Sequence, residues 1–377
     1  MAVYLDNSAT TKPCREAADA VNYMLTENFG NPSSLHAAGI EAAKSLISAR
    51  EAVARVLGCE KEEIYFTSGA TEANNLALFG ACAAKRRAGN RIVTTAIEHE
   101  SVLAAADELE KQGFEVIKLM PDQHGNISAA DFAQAVNEKT ILVSAMYINN
   151  EIGSVLPVEK IKRIIEMKKA PALFHADCVQ AFGKVKFSPK KLGADLVSVT
   201  AHKIHGPKGT GALYIKKGAR TLPRTFGGEQ EKRMRPGTEA SPLIAGFGAA
   251  AAALPDLQMQ SRAVGELNAY LKEKLSGIDG IRFNSDENAS PYILNVYIPT
   301  FMRSQTIVQE LSSKYEVYVS NGSACAKGKK SHVLASMHLS DETADKSIRI
   351  SFSRFNTRQD CERCAAAIKD LTEKHPR

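Results

Sequence analysis

Asp195-Leu196-Val197-Ser198-Val199-Thr200 is a short β-rich run that leads straight into Ala201-His202-Lys203, followed by Gly206-Pro207-Lys208-Gly209-Thr210-Gly211. A buried strand ending on a reactive side chain is how open α/β sheets build their sites, at the carboxyl ends of the strands. Five earlier runs have the same character: Ile64 to Thr67, Arg91 to Thr95, Val116 to Leu119, Ile141 to Met146 and Leu173 to Asp177. Between them, stretches such as Ser101 to Gln112 and Val158 to Lys169 repeat apolar residues at helical spacing. Apolar strands alternating with amphipathic helices predict an α/β fold with a largely parallel sheet, covered on both faces.

The pattern changes after Pro242, where an Ala-rich helix precedes a long helix expected from Asp256 to about Leu275. Strands are then expected around Ile293 to Tyr297, Val317 to Val319 and Ile348 to Phe352. At 377 residues the chain has room for one large unit and a smaller one. The expected division is a large domain over 13–258 and a small α+β domain formed by 1–12 together with 259–377. The early turn-rich stretch Asp6-Asn7-Ser8-Ala9-Thr10-Thr11 is expected to pack where the two meet.

Composition narrows the function classes. With 44% hydrophobic and 24% charged residues, the chain reads as an ordinary folded protein. A net charge of +6 is mild, and no basic stretch is interleaved with aromatics, so direct nucleic-acid binding is not expected. The longest apolar stretch, Leu243 to Leu254, is too short to span a bilayer, and Met1 to Asp6 lack the basic start and apolar run of a signal peptide. A cytoplasmic protein without membrane attachment is the expectation. Seven scattered cysteines, an odd number, argue for reduced thiols over a disulfide framework.

Several residues then carry chemistry. A lysine such as Lys203 forms a Schiff base with an aldehyde cofactor when its surroundings favour the neutral amine, and the nearby Thr200 and His202 are of the type that binds phosphate. Asp177 ends an apolar strand and needs a partner. Pyridoxal phosphate supplies one, because a carboxylate beside its ring nitrogen keeps the proton there that makes the ring an electron sink; a helix N-cap is the equal alternative for this residue taken alone. Ser68-Gly69-Ala70-Thr71-Glu72 follows a strand and opens a helix, so the Ala70 amide and the Thr71 hydroxyl can meet a phosphate, although the same letters make a good cap. His99, in Glu98-His99-Glu100, closes the strand from Arg91 at the same sheet edge, where it can stack on a ring or stand as a surface histidine.

Together these residues resemble the fold-type I pyridoxal-phosphate enzymes of the aminotransferase class V branch, and specifically the cysteine desulfurases, with a likeness to their long-loop group I. The likeness covers nearly the whole chain. It rests on Tyr4-Leu5-Asp6-Asn7-Ser8-Ala9-Thr10-Thr11, Phe29-Gly30-Asn31-Pro32-Ser33-Ser34, Phe66-Thr67-Ser68-Gly69-Ala70-Thr71-Glu72, Asn149-Asn150-Glu151-Ile152-Gly153, His202-Lys203-Ile204-His205-Gly206-Pro207-Lys208-Gly209 and Arg235-Pro236-Gly237-Thr238. The resemblance implies a seven-stranded type of sheet in the large domain. It also implies that Lys203 carries the cofactor, Asp177 pairs with the pyridine nitrogen, Gln180 reaches the ring oxygen and His99 stacks on the ring. By the same likeness Ala70, Thr71, Thr200 and His202 hold the phosphate, Asn150 lies near ring and substrate, and Thr238 reaches the phosphate of the other subunit's cofactor. That last role requires a homodimer.

Cys325, in Ser320-Asn321-Gly322-Ser323-Ala324-Cys325-Ala326-Lys327-Gly328-Lys329-Lys330, is the residue that separates a desulfurase from its relatives. The nearby lysines favour its thiolate, the nucleophilic form. The resemblance makes it the acceptor of sulfur from L-cysteine, leaving alanine, and implies a partner protein that collects the persulfide: an iron-sulfur scaffold or a tRNA- or cofactor-thiolation enzyme. Arg349, in the predicted strand Ser347-Ile348-Arg349-Ile350-Ser351, becomes the fork for the substrate carboxylate, which its planar donors suit. Two departures stand out: Cys178 replaces a small residue, and the stretch after Cys325 is short for the long-loop group, which bears on how far a persulfide travels. Cys361-Glu362-Arg363-Cys364 has metal-like spacing but no second pair, so the spacing reads as adventitious. Alternatives to a cysteine desulfurase are another lyase or transaminase of this fold, such as one acting on selenocysteine, and a non-catalytic sulfur-assembly scaffold.

Overall fold

The computed structural model describes residues 2–322 and 331–376. In chain order its strands are β1 (Val3–Tyr4), β2 (Ile64–Thr67), β3 (Arg91–Thr95), β4 (Glu115–Leu119), β5 (Thr140–Met146), β6 (Leu173–Asp177), β7 (Leu196–Thr200), β8 (Gly211–Ile215), β9 (Arg282–Phe283), β10 (Ile293–Tyr297), β11 (Val317–Tyr318) and β12 (Ser347–Ser351). Seven of them form the main sheet, in the order β2-β8-β7-β6-β5-β3-β4. All six runs picked out between Ile64 and Thr200 are strands of this sheet, within one residue of the expected bounds.

β8 is the strand those runs do not include. It pairs antiparallel with both β2 and β7, while the other pairings are parallel, so β8 alone runs against the rest. Its first residue permits a close approach: a Cβ on Gly211 would lie 2.7 Å from the Val199 carbonyl oxygen and 2.8 Å from the Gly69 carbonyl carbon. Only glycine lets the start of β8, the end of β7 and the turn after β2 meet at one point.

Alternation along the strands divides the interior. Ile92 and Leu142 face one apolar cluster, with Leu76, Phe79 and Val102 from the helices Ala70–Lys85 and Glu100–Lys111. Val93 and Val143 face the other, with Ile161 and Ile165 from the helix Val158–Met167. A side chain of this size contributes about 1.5–3 kcal/mol on full burial, so the central strands are held from both faces. The parallel strands therefore deliver Thr67, Thr95, Met146, Asp177 and Thr200 to a single edge.

The remaining strands lie later in the chain. β12-β10-β9 is an antiparallel sheet, and the long helices Leu257–Ser276 and Arg358–Lys374 pack on each other beside it. β1 pairs parallel with β11, Ser351 N–H donates to the Leu5 carbonyl at 2.7 Å, and Asn7 Nδ2 donates to the Ser351 carbonyl at 2.9 Å. A few residues on, Thr11 N–H donates to the His202 carbonyl at 2.9 Å. Residues 3–11 thus tie the later strands to the edge where β7 ends.

Candidate active site

A cavity of about 400 Å³ opens at that edge. Ala70, Thr71, His99, Asn150, Asp177, Gln180, Thr200, His202, Lys203 and Arg349 all line it. Thr238 does not line it and is exposed. Cys325 lies outside the described residues; of its flanks, Ser331 Oγ donates to Glu151 Oε2 at 2.5 Å, and a Cβ on Gly322 would come within 2.9 Å of that same oxygen.

Asp177 closes β6 and is 4% exposed. Its Oδ1 accepts from Val179 N–H at 3.0 Å and its Oδ2 from Asn74 Nδ2 at 2.8 Å. The Asn74 amide also donates to Ser101 Oγ at 2.9 Å, and Ser101 turns to His99, its N–H donating to His99 Nδ1 at 3.1 Å. Because Nδ1 accepts, the proton of the neutral ring is assigned to Nε2. Burial pushes His99 below the ordinary histidine range, against the opposing pull of Asp177, so the ring is neutral near pH 7. Asn74 and Ser101 were not among the expected site residues; the available signal was a polar side chain inside an otherwise apolar helical stretch.

Lys203 sits in the turn after β7, where its Nζ donates to the carbonyls of Ser8 and, at 2.7 Å, Ala9. His202 Nδ1 contacts Thr10 Oγ1 at 3.2 Å, and burial first, then the positive charge of Lys203, lower its pKa to about 3. Thr200 Oγ1 donates to the Thr210 carbonyl at 3.0 Å. Across the cavity, Gly69 (φ 154°, ψ 179°) leads into the helix Ala70–Lys85, a backbone geometry that glycine adopts at little cost. The first amides of that helix face the cavity edge with no intrahelical acceptor.

Arg349 comes from β12 and is 1% exposed. Its Nη2 pairs with Asp6 Oδ1 at 2.8 Å and its Nη1 donates to the Asn150 carbonyl at 2.8 Å. Arg349 Nε has no acceptor among the described residues, so this buried fork retains a donor for an anion.

A family model described as aminotransferase class-V matches residues 3–364. A cysteine desulfurase IscS from Methanosarcina thermophila is 39% identical, covering 99% of this chain and 92% of that protein. A putative cysteine desulfurase IscS 1 from Bacillus subtilis is also 39% identical, with 99% of each chain covered. The chain belongs to the class-V aminotransferases, among the cysteine desulfurases. A solved NifS-like protein superposes on this desulfurase with a TM-score of 0.92 at 36% identity, covering 99% of this chain and 100% of the other.

Enzymes of this family depend on pyridoxal phosphate, and the donor set of the desulfurase fits that group. A buried carboxylate (Asp177) suits a protonated ring nitrogen, an amide N–H₂ (Gln180) suits the ring oxygen, and an amine (Lys203) suits the aldehyde. The amides that open the Ala70–Lys85 helix, with Thr71, Thr200 and His202, suit the phosphate. Elsewhere in the desulfurase, Cys178 is fully buried and burial holds its thiol protonated. Cys361 and Cys364 are buried in the helix Arg358–Lys374, and burial pushes Cys361 up to about 11.

Proposed function

We propose that this enzyme takes sulfur from L-cysteine onto Cys325, releases alanine and hands the persulfide to an acceptor protein for iron-sulfur assembly or for thiolation of tRNA or a cofactor. The observation that carries the residue roles is the convergence of Lys203, Asp177, His99, Gln180 and Arg349 on one cavity. Pyridoxal phosphate, when bound, supplies an electrophilic carbon for the substrate amine and an electron sink for the substrate α-carbon.

The protein's own groups do the rest. Lys203 would hold the aldehyde of the cofactor, and its amine, when free, would move the substrate α-proton. Asp177, held by Asn74 and the Val179 amide, keeps the ring nitrogen protonated. Arg349 receives the substrate carboxylate, and neutral His99 offers Nε2–H for proton transfer. At Cys325 the thiolate attacks the substrate sulfur; the S–S bond forms as the carbon–sulfur bond breaks, the carbon keeps that electron pair and takes up a proton, and with the α-proton returned the carbon side leaves as alanine.

Exposed apolar side chains favour a homodimer in which Thr238 serves the other subunit: Phe29 is 75%, Leu35 95% and Phe226 87% exposed. The contacts of residues 3–11 with Ser351 favour the division into 13–258 and 1–12 with 259–377. Six reduced cysteines among the described residues fit a cytoplasmic setting, and no helix among them is long and apolar enough to cross a membrane. The deciding experiment incubates the cofactor-loaded protein with L-cysteine and reductant and measures alanine and sulfide for wild type and Cys325→Ser. Equal amounts of both products, lost in a variant that still binds cofactor, support the proposal; an active Cys325→Ser overturns it.

A further inference from the structure

Lys184 is a charged side chain that none of the roles above employs, yet it is 4% exposed and lies directly behind the cavity. Its Nζ donates to Gln180 Oε1 at 2.7 Å and stands 5.5 Å from the centre of the Tyr292 ring. Among the described residues no carboxylate comes within ion-pair distance of it. Gln180, 3% exposed, points its Nε2 the other way, to the Ser8 carbonyl at 3.1 Å on the cavity wall.

The two ends of a glutamine amide are nearly the same shape, so its orientation has to be enforced by neighbours. An ammonium only donates, and it therefore forces the oxygen of Gln180 towards itself and the N–H₂ towards the cavity. We propose that Lys184 is a positioning residue: it fixes the Gln180 amide as a donor to the ring oxygen of the cofactor. The inference rests on the reading of Gln180 as the contact to the ring oxygen. Burial, together with the positive charges of Lys203 and Arg349, lowers Lys184 to about 7, so an anionic oxygen held at Gln180 would in turn keep the ammonium charged.

The test uses holoenzyme reconstituted with pyridoxal phosphate and reads the visible absorption band of the bound cofactor and its dissociation constant. The variants are Gln180→Ala, Lys184→Met, Lys184→Arg and the double variant Gln180→Ala with Lys184→Met. Methionine is apolar and close in length, so it leaves no unpaired charge in the interior. Expected are a band displaced in the same direction in Gln180→Ala and Lys184→Met, with cofactor binding about tenfold weaker in each. The double variant should be no worse than Gln180→Ala, because Lys184 acts through that amide. Lys184→Arg, which still donates, should keep the wild-type band. A displaced band in Gln180→Ala beside a wild-type band and affinity in Lys184→Met, or losses that add in the double variant, would overturn the role of Lys184. An unchanged band in Gln180→Ala would instead overturn the ring-oxygen contact itself and the inference with it.

Discussion

Replacing Glu98 with glutamine should change how stability depends on pH. Glu98 is fully buried next to His99; its Oε1 accepts from Thr95 Oγ1 at 2.7 Å and from Met146 N–H at 2.9 Å, and its Oε2 has no partner among the described residues. Burial raises the carboxyl from 4.5 to about 8; the two hydrogen bonds oppose the shift, and the charge of Asp177 adds to it. A folded-state pKa above the unfolded one means that the stabilising contribution is fully present below about 4.5. It drains away as pH rises and is gone once pH has passed about 8. At about 1.4 kcal/mol per pH unit, wild type should lose about 2 kcal/mol between about pH 6 and pH 8 relative to Glu98→Gln, which cannot titrate. The glutamine N–H₂ will lie where Oε2 lacks a partner, a cost of about 1–3 kcal/mol that is the same at every pH. The assay is urea unfolding of both proteins at a series of pH values, with the difference in stability plotted against pH. A difference that stays constant within about 0.5 kcal/mol across this range would refute a protonated Glu98.

Asn74→Leu removes the amide that holds Asp177 Oδ2 and should weaken cofactor binding about tenfold in a fluorescence titration; unchanged affinity would mean that Asp177 needs no such support. For Arg349→Lys, one ammonium cannot serve Asp6, the Asn150 carbonyl and a substrate carboxylate together. The KM for L-cysteine should rise about tenfold or more with a smaller change in kcat, and a fall confined to kcat would argue against carboxylate binding.

The parallel strands are legible in the sequence because each is buried on both faces and so reads as an unbroken apolar run with a chemical residue at its end. β8 is harder to see. Gly211-Ala212-Leu213-Tyr214-Ile215 emerges from a glycine-rich turn, and its reversed direction follows from pairing across the sheet that no local pattern encodes. In the site, Asp177 is legible as the polar end of a strand and Lys203 as a polar residue in the turn after one; His99, expected to close the strand from Arg91, instead caps the helix Glu100–Lys111, because β3 already ends at Thr95. Asn74, Ser101, Glu98 and Lys184 are not legible, since their work is done through other side chains and depends on contacts such as the bond from Asn74 to Asp177, 103 positions away.

The segment Val3 to Thr11 also sets an order of events as the chain folds. Joining Asn7 to Ser351 closes a separation of 344 residues, with an entropic cost of roughly 5 kcal/mol for a flexible chain of that length. The main sheet, from β2 to β8, needs no residue beyond Ile215 and can assemble earlier. The carbonyls that hold Lys203 and the carboxylate that holds Arg349 all belong to the late-docking segment. A refolding chain should therefore regain its helical and sheet signal before it can capture pyridoxal phosphate, and a protein still being synthesised cannot complete the cavity until β12 has been made. Simultaneous recovery of circular dichroism and cofactor fluorescence after dilution from denaturant would mean that this segment docks together with the main sheet and not after it.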